Sequence, residues 1–480
     1  LETEWFSARE SIEIESRVVS NFRRSAAAFL VSVGAPTTYL NKVKGMMPEM
    51  IGSTAQSAKH FMVSANELSI YANFNYMRSL KLEAPKGNYV VPDSIFDGFC
   101  SRVRNNMSYL PTGAVPYYKI DNSDKVVLAA ISELIYFNDG DSSFAPGVTC
   151  RQFAREASFK DLRASVARTA LQLIRFLEGK VDTPPRLVNR VIGKSYDPIP
   201  LSKLEATYEV NGEKFAGRHR NLILPDPAIS LATKYFTCFR VVKAGTVDVM
   251  NYDRLIGLRN GTYLHAGQVP TSVVGVNTTH VVAKIAENWT TFVGADVAAW
   301  DHTVPPPVAI SYFASRFHII NGFSKEQSIA AGSFLDRVLC EGLYRVDGRF
   351  EFRLPFRIWP SGALDTLVGN SEMHSFLLEE GGVEPGSYCV AGDDLAAHPK
   401  YSKELLIGIY HKNHMIVKKF EEAGEAAFCS TLIEGGQSTV DIITRLRKAL
   451  AKGTLVDGLI FSARADVLES ISKGALVASE

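Results

Sequence analysis

Three strings in this chain place acids or small polar groups at the ends of apolar runs. In Thr291-Phe-Val-Gly-Ala-Asp296-Val-Ala-Ala-Trp-Asp301 an apolar segment delivers Asp296, and Asp301 follows five positions later. In Ser387-Tyr-Cys-Val-Ala-Gly392-Asp393-Asp394-Leu-Ala-Ala two apolar arms flank Gly-Asp-Asp, which reads as a β-hairpin with the acidic pair at its tip. Adjacent carboxylates repel, and apolar strands on both sides desolvate them, so bound divalent cations are the natural remedy. Asp296 and Asp393 are the expected metal ligands and Asp394 a supporting carboxylate. Hard oxygen donors with no His or Cys nearby suit Mg²⁺, with Mn²⁺ as a substitute, and not zinc. Two such ions about 3.5 to 4 Å apart can activate a hydroxyl and neutralise a leaving pyrophosphate.

Between the acidic strings lies Pro360-Ser361-Gly362-Ala-Leu-Asp-Thr366-Leu-Val-Gly-Asn370, a Ser-Gly loop that opens a helix. Thr366 and Asn370 are four apart and share a helix face. Upstream, Arg218 and Arg220 in Ala216-Gly-Arg218-His-Arg220 could clamp phosphates. Downstream, Lys418 or Lys419 could protonate pyrophosphate. Each string alone has an ordinary reading: a strand-end acid, a tight turn, a capped helix start, a solvated basic pair. Their order along the chain is what raises them above that.

The elements that must position these residues are of mixed type. At 480 residues and 46% hydrophobic content, the length suits two to four ordinary domains or one multi-lobed enzyme. Residues 8–34 and 151–180 read as helical, residues 205–295 as richer in strands and loops, and a helical tail with Arg445, Arg447 and Lys448 is expected from Val440 onward. Lys plus Arg (52) balances Asp plus Glu (51), so any phosphate-binding surface must be local. Six cysteines without a CxxC pair argue against a zinc site or a disulfide framework and fit a reducing compartment. No stretch offers the roughly 20 apolar residues of a membrane span. The start at Leu1 without a signal pattern reads as a processed or cut chain.

Taken in order, the strings resemble the palm motifs of the viral RNA-dependent RNA polymerases: A (Asp296, Asp301), B (Ser361, Gly362, Thr366, Asn370) and C (Gly392, Asp393, Asp394). The pattern is closest to flavivirus-like and tombusvirus-like members. Arg218 and Arg220 are similar to motif F, Lys418 and Lys419 to motif D, and Phe428-Cys-Ser430 to the motif E turn. The resemblance implies an α+β right-hand polymerase: an N-terminal extension and fingers over 1–285, palm at 286–301 and 356–430 with an antiparallel sheet flanked by helices, a fingers insertion at 302–355, and a short helical thumb over 431–480. It implies that Asp301 and Asn370 read the ribose 2′-hydroxyl, that Ser361, Gly362 and Thr366 support the nucleotide or template, and that Arg218 and Arg220 hold the triphosphate.

The implied partners are an RNA template, the nascent RNA, ribonucleoside triphosphates, and other viral replication or capsid proteins. The implied location is the host cytoplasm, in a replication complex or inside a particle. Two features depart from the pattern: Asp365 stands where a neutral residue is usual, and little chain remains for a thumb. A reverse transcriptase or DNA polymerase, or a catalytically silent RNA-binding palm protein, are the competing expectations.

Overall fold

Asn66, Asp226, Asn277, Ser324 and Ser402 each turn a side-chain oxygen onto a free backbone N–H in the first turn of a helix. Such caps fix where a helix starts. The computed structural model describes residues 8–51, 60–81, 89–119, 122–136, 159–194, 197–346, 350–361 and 366–440. Gly362, Asp365 and the tail beyond Val440 lie outside the described residues.

The chain runs through α1 (Ala8–Ser32), α2 (Glu67–Ser79), α3 (Asp93–Met107), β1 (Val188–Gly193), β2 (Asn221–Leu224), α4 (Pro227–Thr237), α5 (Tyr252–His265) and α6 (Thr278–Trp289). It continues through β3 (Gly294–Ala298), α7 (Pro306–Ile319), α8 (Lys325–Cys340), β4 (Leu343–Arg345), β5 (Glu351–Arg353) and α9 (Thr366–Glu380). The last described elements are β6 (Tyr388–Ala391), β7 (Asp394–Ala397), α10 (Lys403–Lys412), β8 (Ile416–Glu421), β9 (Ala427–Phe428), β10 (Thr431–Glu434) and β11 (Gln437–Val440). Shorter pieces and two further helices, Asp124–Tyr136 and Phe159–Leu177, lie between. The fold is mixed α and β, and no helix among the described residues is long and apolar enough to cross a membrane.

One expectation needs correction. Residues 205–295 do carry short strands, yet α4, α5 and α6 occupy much of the segment. Caps decide the matter for two of them: Asp226 precedes Pro227 at the helix start, and Asn277 accepts from Thr279 N–H. Thr271-Ser-Val-Val is extended only in part, through a single parallel bridge between Ser272 and Val390. Val440 itself is the last residue of a strand, in the antiparallel meander of β9, β10 and β11.

Two bodies of apolar packing matter to the site. In the first, Val18, Phe22 and Phe29 recur along one face of α1 and pack with Leu68, Tyr71 and Phe74 of α2. The same cluster takes in Val191, Ile223, Tyr344 and Phe352, side chains of a four-stranded sheet in the order β5-β4-β1-β2. Within it β4 runs parallel to β1, so residues 343–345 lie beside residues 188–190.

The second body sandwiches the Gly-Asp-Asp hairpin. Val390 and Leu395 face one core with Ala295, Val297, Trp300 and Tyr410, while Cys389 and Ala396 face another with Val282, Ile285, Phe292 and Phe428. Alternation along each strand puts apolar side chains on both faces. Backbone bonds between Val293 and Ala397 at 2.9 and 2.8 Å join β7 to the start of β3, and β3 pairs antiparallel with β8.

Candidate active site

Ala391 pairs with Asp394, which leaves Gly392 and Asp393 as a two-residue hairpin loop. Gly392 has φ +64°, a backbone that costs an L side chain about 1 to 2 kcal/mol but glycine nothing. The tight turn holds Asp393 at the tip while both arms stay buried. Asp296 sits on β3 between buried Ala295 and Val297, with its own side chain exposed.

These acids feel one another. Desolvation raises the Asp393 carboxyl above the usual range, the charge of Asp296 raises it further, and Arg220 opposes. Asp394 is pushed up to about 6 by burial and by the charges of Asp393 and Glu421, against a hydrogen bond from Cys429 N–H to its Oδ2 at 2.9 Å. That N–H is aimed by a two-residue turn in which Cys429 and Ser430 both have positive φ, 51° and 60°.

Asp301 rises to about 7, first through burial, then through Asp393, while a side-chain hydrogen bond with Asn370 pulls the other way. Asn370 is only 6% exposed, and its Oδ1 accepts from Trp300 Nε1–H at 3.1 Å. The amide N–H₂ is therefore the group that donates to Asp301. Trp359 N–H donates to the Asp301 carbonyl at 2.7 Å and fastens this turn to the loop before Ser361.

The remaining candidates divide. Arg220 reaches the electric field of Asp393, whereas the Arg218 guanidinium stacks over the Tyr76 ring at 4.6 Å, on α2. Ser361 Oγ accepts from Ile223 N–H of β2 at 3.4 Å, and Thr366 Oγ1 donates to the Pro360 carbonyl at 2.9 Å. Both brace the loop. Lys419 lies directly across the ladder from Asp296 on a shared face, while Lys418 is the extra residue of a bulge, since Val297 pairs with Val417.

Four participants escaped the sequence reading. Glu421 is opposite Gly294, where a Cβ would stand 2.7 Å from its Oε2 and 3.0 Å from the Leu395 carbonyl. Burial and then Asp296 raise its carboxyl, and Lys419 opposes. A period of two from Lys419 could have found it. Ser371, His374 and Tyr410 gather behind the Gly392 turn. His374 falls one further helical turn after Thr366 and Asn370, a signal the spacing did carry.

Among the described residues no three acid, His or Cys side chains are already gathered into a metal cage. The chemistry of these residues would suit Mg²⁺: carboxylate oxygens on a strand and a neighbouring hairpin, whose mutual repulsion and burial a cation would relieve, and an ion that usually takes one or two carboxylates plus water and substrate phosphate. No protein-family model matches the chain, and no curated protein sequence matches it significantly.

Proposed function

We propose that the protein is an RNA-directed RNA polymerase of the right-hand type, adding ribonucleotides to an RNA 3′ end with release of pyrophosphate. The hairpin with β3 and β8, backed by α9 and α10, would be its palm. The carrying observation is that Asp393 is the electrostatic centre of the site: the charge of Asp296 acts on it, and its own charge acts on Asp394 and on Asp301, the partner of Asn370.

Asp296 and Asp393 would hold the ions, with Asp394 in support. Held there, two Mg²⁺ ions would supply the activation of the 3′-hydroxyl and the charge that neutralises the departing pyrophosphate. The chain's own residues do the rest. Asp301 and Asn370, pre-set by Trp300, present an acceptor and a donor to a ribose 2′-hydroxyl, the group that separates RNA from DNA substrates. Arg220 supplies positive charge beside Asp393 for the triphosphate. Lys419, across from Asp296, is the better placed lysine to deliver a proton to pyrophosphate.

The test is RNA-templated extension by the purified protein. Wild type should extend a primer or start strand in Mg²⁺, and Asp393→Ala should lose synthesis while its circular dichroism is retained. Undiminished activity in Asp393→Ala would sink the metal assignment, and a preference for deoxynucleotides would reassign the enzyme to DNA synthesis.

A further inference from the structure

Gly392 is held at both of its backbone polar groups by one helix. Its N–H donates to Ser371 Oγ at 2.9 Å, and its carbonyl lies 2.9 Å from His374 Nδ1. A carbonyl can only accept, so the His374 proton sits on Nδ1 and Nε2 is left to accept from the Tyr410 hydroxyl at 2.6 Å. The ring is fully buried. It packs on Trp300 with centroids 4.7 Å apart, and Trp300 in turn donates to Asn370, one turn earlier on α9.

Thr366, Asn370 and His374 thus form one stripe of α9 whose middle touches Asp301 and whose far end carries the turn before Asp393. The helix is fixed from its other side. Glu372 accepts from Asn106 Nδ2 at 3.2 Å and lies 3.7 Å from the Arg316 guanidinium, both buried. A rigid helix gripping a turn by two hydrogen bonds sets where that turn stands.

We propose that His374 is a positioning residue that holds the Gly392–Asp393 turn in register with the Asp301–Asn370 pair, and so sets divalent-cation affinity and ribose discrimination together. The inference rests on the polymerase reading of the site. Partners behind a metal ligand commonly change metal affinity or activity by about 10- to 100-fold when altered.

Two replacements separate the bond from the packing. His374→Asn places an amide N–H₂ near the Nδ1 position and keeps the bond to Gly392, while His374→Gln places its amide near Nε2 and keeps Tyr410 instead. Both lose the ring against Trp300. Mn²⁺ binding is measured by the electron paramagnetic resonance of the free ion, and discrimination by kcat/KM for ribo- against deoxyribonucleotides on an RNA template. His374→Gln should weaken Mn²⁺ binding about tenfold or more and narrow discrimination, and His374→Asn should restore both to within about threefold of wild type. If the two variants behave alike while Asp393→Ala removes Mn²⁺ binding, the positioning role is overturned and the polymerase reading stands. If wild type and Asp393→Ala bind Mn²⁺ equally, the reading of the site itself fails.

Discussion

Trp300 gives its indole N–H to Asn370 Oδ1 at 3.1 Å, which leaves the amide of Asn370 no orientation but the one that donates to Asp301. Two residues of the Asp296 segment are thereby tied to a helix that begins far along the chain. Trp300→Phe would strip the donor and leave a buried acceptor unpaired. Urea denaturation should show a loss of about 1 to 3 kcal/mol. Discrimination against deoxynucleotides should weaken with it, because the freed amide can rotate; unchanged selectivity would detach Asn370 from ribose reading.

Arg218 and Arg220, two positions apart, are predicted to differ. The charge of Arg220 acts on Asp393, so Arg220→Ala should raise KM for nucleotide about tenfold, the scale of one charge-assisted hydrogen bond. Arg218 stacks on Tyr76, so Arg218→Ala should act on stability, by about 0.5 to 1 kcal/mol, with the smaller effect on KM. Steady-state kinetics and thermal melts on the two variants make the comparison; a reversed ranking would show that Arg218 leaves Tyr76 for the substrate.

The acidic cluster predicts a pH dependence with a definite sign. Asp301 titrates at about 7 in the fold and near 4 in an unfolded chain, so the folded state binds more protons between those values. Its contribution to stability is full below about pH 4 and is lost as pH rises through 7. In metal-free buffer Asp301→Asn should flatten the fall in melting temperature over that window. A fall as steep as wild type would place the titration elsewhere.

Backbone constraints predict two glycine variants. Gly392→Ala meets no atom closer than 3.9 Å, so its cost should be the left-handed backbone alone, about 1 to 2 kcal/mol. Gly294→Ala meets the Leu395 carbonyl at 3.0 Å and Glu421 Oε2 at 2.7 Å, and must push β7 or Glu421 away. Gly294→Ala should therefore lose more activity than its melting temperature suggests. Equal loss of activity and stability would remove Glu421 from the site.

The sequence yielded those parts of the site whose residues are neighbours in the chain. Asp296 with Asp301, Thr366 with Asn370, and Gly392-Asp393-Asp394 each depend on a short spacing that a strand, helix or turn converts directly into geometry. Glu421, Ser371 and Tyr410 act on residues carried by other elements, and no local pattern announces such a meeting. The helices of 205–295 were misread because Val and Thr weigh toward strands, while the informative marks were single capping residues, Asp226 and Asn277. Arg218 shows a contact that no local pattern announced: its guanidinium lies over the Tyr76 ring, on a helix far away in the chain.

The parallel pairing of β4 with β1 also orders events in time. As the chain emerges from a ribosome, Val188–Gly193 can pair early with Asn221–Leu224 on one edge, but its other edge stays open until residues 343–345 arrive. By then Asp296 has already been made, whereas α9 and the Gly392 turn have not. An unpaired apolar edge held open through so much synthesis is a template for wrong pairing, so this segment is where slow maturation and dependence on chaperones should be concentrated.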